Sequence, residues 1–342
     1  MVTIKDVARD AGVSVGTVSN VLNGGRVSEA RRKLVEASIE KLGYQVNTLA
    51  KGMRMQKTDY VVVILPNLIN PYFALLLDAL ESELSAVGKQ VLLCLSGDDA
   101  EREVAFMDMA KQNKVDGIIG VTYSKVEEER IENMAFVSID RHYKSHIPCV
   151  AGDNWQGGWL AAENLHKRGS TNLLCFMTMS SVDSEVRKRR VGFTEYCMEH
   201  DLSCNSVEMS EKQIVSVYES YGSRKLIHNM LRAYISPSLG EHSIDGIFTS
   251  SDHLATIVRE ELEEMGKQVP EDIQIIGYDG LQFLNQGKPI VSSIAQPVHE
   301  IAKEAVRCLN ELIANGKTEG NTKIPVGFQE GPTTKTLVTE EK

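Results

Sequence analysis

The chain has 342 residues, 42% hydrophobic and 25% charged, which is the composition of a soluble globular protein with room for two or three domains. No apolar run reaches membrane-spanning length and no secretory h-region opens the chain, so a cytoplasmic protein without a membrane partner is expected, and six cysteines without C-x-x-C spacing (Cys94, Cys149, Cys175, Cys197, Cys204, Cys308) speak against a disulfide or zinc framework. The net charge of −10 is uneven: residues 1–57 carry ten Lys/Arg against five Asp/Glu, a net +5 that suits either a head meeting phosphates or a solvated basic surface.

Thr3 ahead of "IKDVARDA", with Asp6 three residues on, predicts a capped helix with an apolar stripe of Ile4, Val7, Ala8 and Ala11. Gly12 ends it, and Ser14 caps a second helix from Val15 to about Leu22 that buries Val18, Val21 and Leu22. "NGGR" breaks that helix. Ser28 then caps a third, carrying Leu34, Val35, Ile39 and Leu42 and closed by Gly43. Two short helices joined by a glycine-containing turn, braced by a third, form the helix-turn-helix plan. In that plan the second helix enters the major groove, which explains why "VGTVSN" tolerates poor helix formers: bulk there holds a helix off the bases. Thr17 and Ser19 are in reach of phosphates or base edges, and Asn20 can pair with an adenine edge. A three-helix bundle with no DNA role is the alternative.

"TIKDVARDAGVSVGTVSNVLN" closely resembles the headpiece of the lactose/galactose-repressor (LacI/GalR) family of bacterial transcription regulators. The resemblance implies that Val15, Gly16 and Asn20 stand at base-reading positions, with Thr17 and Ser19 nearer phosphates, and with Thr3, Ser14, Asn23 and Arg26 on the same DNA-facing surface. Family members often carry a bulkier residue at Gly16 and a larger polar one at Asn20. In "NTLAKGMRMQKT", Asn47 caps two helical turns, too few to be stable alone. The resemblance makes this a hinge helix that orders on DNA, with Asn47, Leu49, Ala50, Met53 and Arg54 at the interface. Met53 stands where the minor-groove wedge is usually leucine.

From Tyr60 onward, buried strands "YVVVIL", "QVLLCLS", "DGIIGV", "FVSI", "NLLCFM", "DGIFTS", "IQIIGYD" and "VSSIA" alternate with helices. One helix runs through Phe73, Leu76, Leu77, Leu80 and Leu84, and others lie near 155–168, 185–200, 215–233, 252–265 and 297–314. Repeated βα units predict parallel sheets covered on both faces, split into two lobes around a ligand cleft. That pattern alone fits a sugar-binding receptor or a two-domain enzyme equally well. The motifs "NPYF", "VDGIIG", "DNWQGG", "RRVGF", "SSDHLA", "IIGYDG" and "SIAQP" extend the resemblance and imply a periplasmic-binding-protein-like (type I) α/β fold whose chain crosses between lobes three times. The expected organisation is an all-α headpiece at 1–46, a hinge at 47–58 and an effector and dimerisation domain at 59–342. Within the last, the N-lobe is expected at about 59–166 and 297–323 and the C-lobe at about 167–293 and 324–340.

For the effector, the resemblance implies Arg189 gripping oxygens through its donor fork and Asp279 accepting from hydroxyls. Asp252 is the acid of the family's Asn-Asp pair, with Ser251 in place of the asparagine. Tyr72 and Phe73 are candidates for stacking on an apolar face, and Gln156 for a polar contact. Asp153 and Asn154 fit a helix cap. Thr178-Met179 replaces a usual Gly-Pro, and Ser170 a usual histidine. The implied function is an effector-controlled regulator, most readily a repressor, binding a pseudo-palindromic operator as a homodimer, since the end of the chain shows no leucine heptads. Its small-molecule effector is expected to be a carbohydrate, with a nucleobase or a partner protein as the alternative. A receptor without a DNA role is the competing class. No enzyme, cofactor or metal motif appears.

Overall fold

The computed structural model describes residues 2–22, 24–44, 58–122, 131, 134–143, 147–179, 182–210, 213–214, 224–235, 243–282, 287–318 and 320–337. Contacts divide the chain into Met1–Thr58 and Asp59–Lys342.

In the first unit, α1 (Ile4–Asp10) opens on the expected capping box, the Thr3 backbone N–H donating to Asp6 Oδ2 at 3.0 Å and its hydroxyl at 2.6 Å. Gly12, at φ +65°, makes the turn into α2 (Val15–Leu22). Helix α3 (Glu29–Leu42) ends on Gly43 in the left-handed conformation. Val7, Ala8, Ala11, Val18, Val21 and Val35 form the core. Two details differ from expectation. Ser28 occupies the N-cap of α3 without a side-chain cap bond, and Leu34 points outward, 54% exposed. Val35, Ile39 and Leu42 already fill the i, i+4, i+7 stripe, which leaves Leu34 on the neighbouring face. The hinge positions Asn47, Leu49, Ala50, Met53 and Arg54, and also Asn23, lie outside the described residues.

Among the described residues, the second unit holds two six-stranded sheets. The N-lobe sheet orders β11 (Thr322–Ile324), β5 (Cys149–Gly152), β4 (Phe136–Ile139), β3 (Gly117–Val121), β1 (Tyr60–Leu65) and β2 (Gln90–Leu95), all parallel. The C-lobe sheet orders β12 (Gly327–Gln329), β10 (Ser292–Ala295), β9 (Gln274–Asp279), β8 (Gly246–Thr249), β6 (Asn172–Met179) and β7 (Ser203–Ser210), parallel except for β12. Helices α4 (Pro71–Ala86) and α10 (Val298–Asn315) cover one face of the N-lobe sheet, and α5 (Ala100–Gln112) packs on the other. In the C-lobe, α6 (Asn154–Lys167) and α7 (Arg187–Glu199) share a core around Phe193 and Tyr278, while α8 (Lys225–Ile235) and α9 (Asp252–Glu264) build the opposite layer.

The chain passes between lobes three times: after β5, after β10, and between β11 and β12. The first passage lies earlier than the expected boundary near 166. Ala161, Ala162 and Leu165 of α6 bury against Phe193 and Cys197 of α7, so this helix belongs wholly to the C-lobe. Strand β2 is half exposed rather than fully buried, because it forms a sheet edge. Strands β5, β7, β11 and β12 and helix α5 add to the elements expected from sequence.

Candidate functional site: a helical DNA face and an inter-lobe cleft

On α2 the apolar side is consumed by the core, and Val15, Gly16 and Asn20 face solvent with Thr17 and Ser19 half-buried beside them. Ser14 Oγ accepts from the Thr17 backbone N–H at 3.1 Å and lies 3.0 Å from the Thr17 hydroxyl, which fixes the first turn. A Cβ at Gly16 would meet only Ser14 Oγ, at 3.7 Å. Small residues here are therefore not demanded by packing within the unit; they leave its outer face flat. Arg26 is exposed, and Lys41 pairs with Asp10 at 2.7 Å while the Ser38 hydroxyl holds the other carboxylate oxygen, tying α3 to α1.

In the second unit, strand ends from both lobes bring ionisable groups together. Arg189, on the first turn of α7, is 5% exposed; its Nε donates to Asn154 Oδ1 at 2.6 Å and its Nη1 to the Ser250 carbonyl at 2.7 Å. Its guanidinium lies 3.5 Å from the Tyr278 ring centroid, a cation–π contact. Asp279 ends β9 with φ +118°, a conformation that L side chains rarely adopt. Its Oδ1 accepts from Gln296 Nε2 at 2.9 Å; Oδ2 is buried with no well-formed hydrogen bond among the described residues, though the Asn70 side chain also approaches the carboxyl. Asp140, just after β4 in the N-lobe, is also at positive φ (+60°) and is held by Asn154 Nδ2 at 3.4 Å. The Tyr72 hydroxyl from α4 is buried beside these groups without a hydrogen-bond partner among the described residues.

Burial is the main reason that Asp279 is pushed up to about 7 and Asp140 to about 6, with the Arg189 charge opposing it in both. Burial likewise raises Tyr72, and the Asp140 and Asp279 charges add to the effect. Strained carboxylates from opposite lobes, a buried phenol and a guanidinium thus share one cleft.

Of the residues expected to bind effector, the structure brings together Tyr72, Arg189 and Asp279. Phe73 packs in the N-lobe core, edge-on to Tyr72 at 5.6 Å. Ser251 caps α9, accepting from the Leu254 N–H at 3.1 Å. Asp252 accepts from the Leu281 N–H at 2.7 Å and so holds the turn behind Asp279. Gln156 Oε1 receives the Val326 N–H at 3.1 Å, bracing the third passage between lobes. Asp153 caps α6 as expected, whereas its neighbour Asn154 is fully buried and orients Arg189. Asp140, Asn154 and Tyr278 were not singled out as effector residues. The available signal is position: each stands at or just beyond the carboxyl end of a strand, where open α/β sheets bind ligands.

The lacI family of bacterial regulatory proteins matches residues 3–47, and a periplasmic binding protein-like domain matches residues 162–334. A sucrose operon repressor of Pediococcus pentosaceus is 32% identical over 96% of this chain and 98% of its own. A periplasmic binding protein/LacI transcriptional regulator from Alkaliphilus metalliredigens QYMF, solved with D-xylulofuranose, aligns with TM-score 0.69 and 26% identity, covering 81% of this chain and 100% of that one. The Lac repressor dimer bound to operator shares the fold, with TM-score 0.79 and 21% identity over 97% of this chain and 99% of that one.

Proposed function

The chain belongs to the lacI family of bacterial regulatory proteins, and from that premise we propose that it is a transcriptional repressor whose affinity for operator DNA is set by a small polyhydroxylated effector, a sugar or sugar derivative, held in the inter-lobe cleft. The observation that carries the effector half is spare hydrogen-bonding capacity at two buried atoms: Tyr72 Oη of one lobe, without a partner among the described residues, and Asp279 Oδ2 of the other, whose carboxyl the Asn70 side chain also approaches. Leaving such groups unmade is costly, and hydroxyls, which both donate and accept, satisfy them without adding charge to a site already rich in carboxylate. A ligand touching both lobes binds one lobe arrangement better than another and shifts DNA affinity by that difference.

The DNA half rests on the basic first 57 residues, on α2's exposed Val15, Gly16 and Asn20, and on an operator-bound dimer among the structural neighbours. We assign Ser14, Thr17, Ser19, Asn23, Arg26 and Thr3 to positioning on the duplex, and residues 47–58, with Asn47, Leu49, Ala50, Met53 and Arg54, to a hinge that orders between the DNA and the body. The working form is a homodimer on a pseudo-palindromic site, acting in the cytoplasm and without catalysis.

A thermal-shift panel of sucrose, cellobiose, D-ribose, D-xylulose, adenine and guanine tests the effector half. At least one sugar raises the melting temperature, and Asp279→Ala removes that shift. Response to a nucleobase alone, or to no small molecule, overturns it.

A further inference from the structure

The segment between β6 and α7 carries a buried charge that the cleft's chemistry does not use. Glu185 belongs to the C-lobe and its carboxylate is 1% exposed, yet most of what holds it comes from the N-lobe. His142 Nε2 bonds its Oε1, Lys323 Nζ stands 3.9 Å from Oε2, and its backbone N–H donates to the Asp140 carbonyl at 2.8 Å. Lys188, from its own lobe, shares Oε1. His142 and Asp140 follow β4, and Lys323 lies on β11, so three N-lobe groups converge on one C-lobe residue.

We propose that Glu185 is a positioning residue for the effector cleft: an inter-lobe latch that fixes the Asp140 backbone and ties His142 and Lys323 of one lobe to the other. The proposal rests on the cleft's being the effector site. Asp140 sits at φ +60°, in the left-handed region, and the Glu185 backbone N–H bonds its carbonyl and so helps to hold that turn. Removing the carboxylate leaves His142 and Lys323 without their shared anion and loosens the seat that presents the Glu185 N–H to the turn.

Burial raises the Glu185 carboxyl, but hydrogen bonds from Lys188 and His142 outweigh it and leave the group below its ordinary value. Its contribution is therefore present above the usual glutamate range and is lost as pH falls through that lowered value. Other charged or titratable groups facing it are Asp140, Asp183, Cys149, Lys188 and Lys323. Asp140, pushed up to about 6 by burial, gains its proton in mild acid, so the variants are compared at a single pH of about 8.

Amide hydrogen exchange on the full chain tests this directly. In the parent protein, segments 138–143 and 182–189 are protected together. Glu185→Gln lowers protection in both segments by about tenfold. His142→Asn lowers protection in the same two segments, and Glu185→Asp restores part of it. Loss confined to 182–189, or spread evenly along the chain with a lower melting temperature, means that Glu185 serves only its own lobe or the fold at large, and overturns the proposal. With whichever sugar of the panel binds, Glu185→Gln weakens affinity about tenfold; unchanged affinity also overturns it. A panel with no binder counts against the effector site, while the exchange experiment still judges the latch.

Discussion

Glycine-on-glycine packing between α6 and α7 sets the position of Arg189, and Gly158→Ala attacks it. A Cβ at 158 would lie 1.8 Å from the Arg189 carbonyl oxygen and 2.9 Å from the Phe193 nitrogen, all of it rigid backbone. The reciprocal contact is as close, a Cβ at Gly192 falling 2.0 Å from the Trp155 carbonyl. Non-bonded atoms settle near ~3.5 Å, so the helices must part by roughly 1.5 Å. Carried to the head of α7, that displacement stretches the 2.6 Å bond between Arg189 Nε and Asn154 Oδ1 beyond hydrogen-bonding range. Overpacking costs about 1–3 kcal/mol and loss of the charged hydrogen bond about 1.5–3 kcal/mol, together roughly 2.5–6 kcal/mol. Thermal unfolding of the intact chain is expected to show a drop of about 10 °C, accompanied by loss of the sugar-dependent shift. A variant that melts within about 2 °C of the parent and still responds to effector would mean that the two helices do not meet in this way.

Gly16→Ala is the opposite case: its Cβ meets only Ser14 Oγ, at an ordinary contact distance of 3.7 Å, so the headpiece should gain about 0.5–1 kcal/mol in helix stability, read by urea unfolding of the full chain, and a loss would show that α2 is not helical there. Asn20→Ala is expected to relax preference at one operator base pair while leaving the salt dependence of binding nearly unchanged; equal weakening on every sequence would contradict a base-reading role. Asp279, Asp140 and Asp98 are pushed up to about 7, 6 and 6, chiefly by burial, so the folded state holds protons that the unfolded chain releases near its ordinary carboxylate range. Stability of the second unit should therefore rise as pH falls from about 7 to about 5, and Asp279→Asn should flatten the upper part of that rise. Melting temperatures that stay level or fall over this window in the parent protein would refute the burial argument.

The headpiece was legible because its signals are local: Thr3 with Asp6, Gly12, and the Val18–Val21 stripe each act within a few residues. Leu34 shows the limit, since apolar character does not say which of two adjacent faces a helix buries. In the second unit, strongly apolar central strands such as β1 and β3 announce themselves, whereas edge strand β7 is polar and largely exposed and β12 spans only Gly327–Gln329. The cleft was only partly readable. Arg189 and Asp279 sit in recognisable motifs, but Asp140 and Asn154 take their roles from partners far along the chain: Asn154 meets Arg189 35 residues away. Glu185 is harder still, because a carboxylate in "SVDSEVRK" reads as solvated until the fold brings His142 and Lys323 against it.

The proposed regulation turns on a sequence-specific DNA contact that a cleft ligand controls. Its most direct test selects duplexes from a random pool with the full-length protein, then titrates the enriched site with and without the sugar identified by thermal shift. A pseudo-palindromic site whose affinity changes when that sugar is added is the predicted result. Enrichment of no sequence, or an enriched site whose affinity the sugar leaves untouched, would contradict it.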